Sequence, residues 1–166
     1  MSADTFTTAM FLITAVLAAG VLINAVFPVV YNMAGTFSTS THESDLRIRT
    51  DFKIITTFAN TARDGKIWMK NVGSTRISMD EIRKSDAFFG PVDTFSRMTY
   101  SASPPGDNEW YPVLYDLTGG TPDYWDKGET LEIQVKTSQV LASGDMVYFQ
   151  FILPNGVWRS IEYTVS

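Results

Sequence analysis

The side chains on which most enzymatic chemistry rests are almost missing from this sequence. It has one histidine, His42, set in a Ser/Thr-rich connector, and no cysteine, so His-based triads, thiol nucleophiles and His/Cys zinc sites are not expected. No glycine-rich phosphate loop follows a strand-like run, so no cofactor is expected, and no N-x-Ser/Thr sequon occurs. Oxygen ligands remain. The stretch DLTGGTPDYWDKGE carries Asp116, Asp123, Asp126 and Glu129, carboxylates able to gather a Ca²⁺ ion. Asp, Gly and Pro are also what turns require, and the spacing matches no EF-hand loop, so the turn reading ranks first and the metal site second. The other candidate set is aromatic: Trp110, Tyr111, Tyr115, Tyr124 and Trp125. Exposed together at one end of a domain, these rings form a partner surface; buried, they are core. Neither set makes an enzyme.

The elements that must hold these residues divide sharply. From Thr5 to His42 there is no Asp, Glu, Lys or Arg, and Ala9 to Tyr31 is apolar apart from Thr14 and Asn24. A helix needs about 20 such residues to cross a hydrocarbon core about 30 Å thick. The segment is too long for the apolar part of a secretory signal, and MSADTFTT lacks the basic residues such a signal carries. A retained helix from about Thr5 to about Ala34 is expected, with Asp4 favouring its start, Pro28 kinking its last turns and Gly35 capping it. Phe11, Leu12, Phe27 and Pro28 then face lipid or sister helices. Ala18, Ala19 and Gly20 let a second backbone approach, and the Asn24 amide wants a partner inside a bundle. Two environments fit this rod, a membrane and the core of a filament.

Residues 36–44 form a Ser/Thr-rich connector between the rod (1–35) and a β domain (45–166). Alternation starts at Leu46 and runs through Ile48, Thr50, Phe52 and Ile54. Asp64-Gly65 is a hairpin signal, after which Ile67 and Met69 return antiparallel. Turns follow at Asn71–Ser74 and Ser103–Asn108, and RISMDEI, SRMTYS and EWYPVLYDL read as further strands. Pro112 places the last of these at an edge or bulge. TLEIQVK points Leu131, Ile133 and Val135 inward and Glu132, Gln134 and Lys136 outward, and Asn155-Gly156 joins a final hairpin. Short strands with turns between them and no later helical period indicate a mainly β protein: a long hydrophobic N-terminal helix followed by an antiparallel, immunoglobulin-like β-sandwich.

The net charge of −5 and the pI near 4.7 exclude a nucleic-acid surface, which needs clustered Lys and Arg. The partners this layout points to are copies of itself or the membrane that receives the helix. A membrane-tethered Ca²⁺- or glycan-binding module is a third possibility of a different class.

The opening MSADTFTTAMFLITAVLAAGVLINAVFPVVY, together with the turn Trp68-Met69-Lys70-Asn71-Val72-Gly73 after an aromatic-containing strand, resembles archaellins and, more closely, the archaellum accessory proteins of the FlaF/FlaG (ArlF/ArlG) family. The resemblance implies a structural protein of the archaeal cell envelope, its helix in the cytoplasmic membrane and its sandwich outside. There it would self-associate, bind a sister accessory protein and the surface-layer protein, and act as a stator or anchor for the archaellum. The sequence departs from archaellin precursors in lacking basic residues and a processing site before the apolar run. That favours the stator over the alternative, an archaellin or pilin-like filament subunit with the helix in the filament core.

Overall fold

The helix that opens the chain outruns its expected end. In the computed structural model, which describes residues 2–115 and 123–166, α1 is Ser2–Arg49, 48 residues, or about 72 Å at 1.5 Å per residue. The expected connector and the expected first strand around Leu46 are therefore helical. A single Gly costs about 1 kcal/mol relative to Ala and Ser or Thr less, too little to stop a helix already nucleated. The hydroxyls in this stretch also turn back on the helix: Thr36 Oγ1 donates to the Asn32 carbonyl at 2.9 Å and Thr41 Oγ1 to the Phe37 carbonyl at 2.8 Å. Gly35 is no cap, and Pro28 stands within the helix without ending it. By its internal contacts the chain divides into two units, Met1–Ser44 and Asp45–Ser166; the last turn of α1 belongs to the second.

That unit contains β1 (Phe52–Ala59), β2 (Asp64–Asn71), β3 (Ile77–Ser78), α2 (Met79–Arg83), β4 (Asp86–Pro91), β5 (Ser96–Tyr100), β6 (Glu109–Tyr115), β7 (Tyr124–Trp125), β8 (Thr130–Lys136), β9 (Met146–Ile152) and β10 (Trp158–Thr164). The strands run in the order β1-β2-β8-β6-β5-β4-β9-β10, with β3 and β7 paired separately. All pairs are antiparallel except β5–β6, which is parallel over Thr99–Glu109 and Tyr100–Trp110. The sheet folds over at this short joint, so that its two halves face each other across one core. Phe52 and Trp110 from one half meet Phe151 of the other edge-on, with centroids 6.1 and 5.5 Å apart. At Gly65 the backbone is closely overlaid by side chains from both halves. A Cβ there would lie 2.8 Å from both Phe89 Cζ and Val135 Cγ2, so this glycine serves packing and not the turn expected of it. The β1–β2 turn lies earlier, at Asn60–Arg63. Arg63 takes a positive φ of 73° and Asn60 Oδ1 accepts from the Asp64 amide at 3.0 Å.

Pro112 sits in a strand that is interior in the order, yet the expectation of an edge is half right. The amide of Ser101 donates to the Trp110 carbonyl at 2.8 Å, so the even positions of β6 turn their backbone groups toward β5. The register with β5 ends at Trp110, and the N–H that proline lacks would have pointed past it.

The second helix was not expected. Ser78-Met79-Asp80-Glu81 alternates like a strand, but it is also a capping box: the Glu81 amide donates to Ser78 Oγ at 3.2 Å and the Ser78 amide to Glu81 Oε2 at 3.0 Å. Ile82, fully buried, fastens this turn to the core.

The carbonyls that end α1 receive donors from the 72–75 loop. Ser74 and Thr75 amides donate to the Arg49 carbonyl at 2.9 and 3.3 Å, and Val72 and Gly73 amides to the Asp51 carbonyl at 3.0 and 2.9 Å. A Cβ on Gly73 would stand 2.6 Å from both Arg49 O and Asp51 N, backbone atoms with little room to yield. Replacing Gly73 by Ala is expected to destabilise the chain by about 1–3 kcal/mol, as overpacking does, read as an earlier thermal unfolding midpoint. Ser78→Ala removes the cap of α2 and should cost about 1 kcal/mol in chemical denaturation without altering the strand signal in circular dichroism.

Candidate functional site

The α1 candidates stand on the exposed surface of their helix. Every described side chain from Ala3 to Arg49 is exposed, Phe11, Leu12 and Phe27 among them, and nothing lies within 4 Å of where a Gly20 Cβ would be. From Ala9 to Tyr31 apolar residues cover the helix on all sides, the pattern of a helix enclosed by something apolar. By length and composition it is able to cross a membrane. The backbone of such a helix satisfies itself, and Thr14 does the same with its hydroxyl, donating to the Met10 carbonyl at 2.8 Å. Asn24 and Pro28 are linked through the backbone. The proline nitrogen carries no hydrogen for the Asn24 carbonyl, one turn earlier, to accept. Phe27 and Tyr31 stack at 6.1 Å. His42 lies exposed on the same helix.

The five aromatic candidates do not form one surface. Trp110 and Trp125 are fully buried. Trp125 donates its indole N–H to the Glu129 carbonyl at 2.9 Å, while the Trp110 indole N–H makes no hydrogen bond among the described residues and its ring packs between Tyr100 and Phe151. Tyr124, half exposed, lies under the Arg76 guanidinium at 4.1 Å. Tyr111 and Tyr115 lie on the outward face of β6, where Tyr115 Oη donates to Glu132 Oε2 at 2.6 Å. That hydrogen bond first, then burial and the carboxylate charge, holds the Tyr115 hydroxyl above the usual tyrosine range, with Trp68 pulling the other way.

Of the acidic candidates, Asp116 lies outside the described residues. Asp126 pairs with Arg76 at 3.1 Å. Glu129 is buried, and its Oε2 accepts from the Asp126 amide at 2.8 Å. Asp123 contributes its backbone carbonyl to the Met79 amide at 2.9 Å. The Glu129 carboxylate thus holds its own turn, and among the described residues no three His, Cys, Asp or Glu side chains gather as a metal site.

Two residues that the sequence reading left without a role organise much of this unit. Asn71 is fully buried. Its Nδ2 donates to the Thr75 and Trp125 carbonyls at 3.0 and 2.9 Å, and its Oδ1 accepts from the Gly73 amide at 3.0 Å, so it shapes the loop that caps α1. The Lys-Asn-x-Gly turn was its visible signal. Glu132 stands on the outward face of β8 but is only 2% exposed. It accepts from Tyr115 and, at 2.8 Å, from Gln134 Nε2, with Lys66 Nζ at 3.7 Å. Alternation alone places it in water; its cover comes from the neighbouring strands.

Comparison with known proteins matches these features as a set. A curated, uncharacterised protein of Archaeoglobus fulgidus is 29% identical over 170 residues, covering 98% of each chain. The archaellum periplasmic stator protein FlaG of Sulfolobus acidocaldarius has a TM-score of 0.54 at 24% identity, covering 69% of this chain and 99% of that one. Its FlaF–FlaG complex gives 0.53 at 23% identity, over 68% of this chain and 87% of the other. The flagellum of Methanospirillum hungatei strain JF1 gives 0.53 at 13% identity, over 92% and 91%. These solved structures share the fold. The archaeal-type flagellin family model matches residues 6–163, helix and sandwich together. The chain therefore belongs to the archaeal-type flagellin family and is a structural component of the archaellum.

Proposed function

We propose that this chain is a stationary element of the archaellum. Its apolar helix is anchored in the cytoplasmic membrane, and its β unit stands outside, where it self-associates and binds a sister accessory protein and the surface layer. The observation that carries the reading is α1 itself: apolar on every side from Ala9 to Tyr31, exposed along its described length and long enough to span a bilayer. In water such a surface would aggregate; in lipid it is at rest. The β unit supplies the other half of the argument, since its fold is shared with a stator protein and with a complex of two accessory proteins. Asn24 and the Ala18-Ala19-Gly20 patch are the places on the helix where a sister helix would seat.

A second reading, a filament subunit whose α1 packs in a helical core, is favoured by one observation. The likeness to the Methanospirillum hungatei flagellum extends over 92% of the chain, more than the β unit alone, and α1 has no break at the former connector. Cell fractionation separates the two. The stator reading expects this chain in washed membranes after filaments have been sheared off, extractable by detergent and not by high salt. Recovery as the bulk protein of sheared filaments would sink it in favour of the second reading.

A further inference from the structure

The outward face of β1-β2-β8-β6 carries an arrangement that neither the core nor the archaellum reading uses. In register across the strands, one row contains Lys53, Lys70, Thr130 and Tyr115, and the next Thr56, Trp68, Glu132 and Val113. Lys53 and Lys70 lie directly opposite each other, both exposed. Among the described residues neither has an acidic partner, although Lys66 and Lys136 on the same face pair with Glu132 and Asp64 at 3.7 and 3.3 Å. Like charges directly opposite in an antiparallel pair are destabilising. In a chain of net charge −5, with carboxylates abundant elsewhere, two ammonium groups side by side form a seat for an anion.

Beside that seat the polar groups are set in advance. Because Tyr115 and Gln134 both donate to the buried Glu132, and the Tyr115 oxygen also takes a hydrogen bond from Trp68, the Gln134 carbonyl and one remaining lone pair of the Tyr115 oxygen are left as acceptors. The partly exposed indole of Trp68 lies between these acceptors and the lysines. An acidic peptide would satisfy the lysines and the acceptors, but its Asp and Glu side chains offer no rigid C–H face to the indole. A carboxylated sugar brings all three complements: a carboxylate, hydroxyl donors and a C–H face that packs on an aromatic ring.

We infer that this sheet face is a binding site for acidic oligosaccharides, with Lys53 and Lys70 on the sugar carboxylate, Trp68 against the ring, and the Tyr115–Glu132–Gln134 network on its hydroxyls. The inference is independent of the anchoring reading, since every residue it names lies in β1, β2, β6 or β8. The test is titration of the full chain in detergent micelles with tetragalacturonate, followed by tryptophan fluorescence and calorimetry. Saturable binding that weakens with salt, and weakens by about tenfold or more in the surface variant Lys53→Gln/Lys70→Gln at unchanged thermal stability, supports the site. Trp68→Ala should abolish it, and the lysine variant decides alone if Trp68→Ala fails to fold. The inference is overturned by no binding at millimolar sugar, by equal binding of uncharged cellotetraose, by equal binding in the lysine variant, or by a hexaglutamate peptide binding where the sugar does not.

Discussion

The end of a helix leaves carbonyls that must find donors, and here the whole second unit is built up from that requirement. Arg49 and Asp51 receive theirs from the 72–75 loop. The loop keeps its shape because a fully buried amide, Asn71, bonds to it at both ends and to the Trp125 carbonyl across the unit. Asn71 is also the last residue of β2, so the cap of the helix and the register of the sheet are the same structure. Arg47 and Arg49 in the last turn complement the dipole. Asn155 Nδ2, in the β9–β10 hairpin, donates to Thr50 Oγ1 at 3.0 Å, and Arg159 of β10 pairs with Asp51. The first residues after the helix are thereby held by both halves of the folded sheet.

The two halves of the sheet are joined over only two residue pairs of β5 and β6, so their alignment depends on the core they enclose. That core is rich in large rings. Phe52, Phe89, Trp110, Trp125, Phe149 and Phe151 are all fully buried, which answers how a domain without disulfides is stabilised: burial of such rings is worth more per residue than any other apolar contribution. The free edges are blunted. β1 has a register shift between Ile54 and Thr56, a bulge that spoils it as a template for another strand. Near the end of β10 the Ser166 amide is taken by the Ala59 carbonyl at 3.0 Å.

Much of this was legible in the residues. Ala9–Tyr31 could be read as a lipid- or bundle-facing helix because an uncharged run of that length has few other fates. The hairpin at Asn155-Gly156, the inward Leu131, Ile133 and Val135, and the mainly β class followed from turn chemistry and alternation. The misses have a common physical cause. Leu46–Arg49 alternates like a strand, and only continuation from the preceding helix makes it helical. Asp86–Pro91 carries a glycine and a proline and no clean alternation, and only its pairing with β5 and β9 makes it a central strand. Ile77–Met79 alternates too, but the Ser78–Glu81 box outweighs it.

What the sequence determined alone was composition and periodicity: a rod that must leave water, a sandwich that follows, and no thiol chemistry. What only the tertiary structure decided was which side chains share a surface. Trp110 and Trp125 went to the core while Tyr111 and Tyr115 stayed on the outer face, Glu132 was buried on the side that alternation assigns to solvent, and Lys53 came to stand beside Lys70. The reason is register. A strand's own sequence sets which face each residue takes, but its cross-strand neighbour comes from a distant part of the chain, and that choice is made by long-range pairing around the shared core.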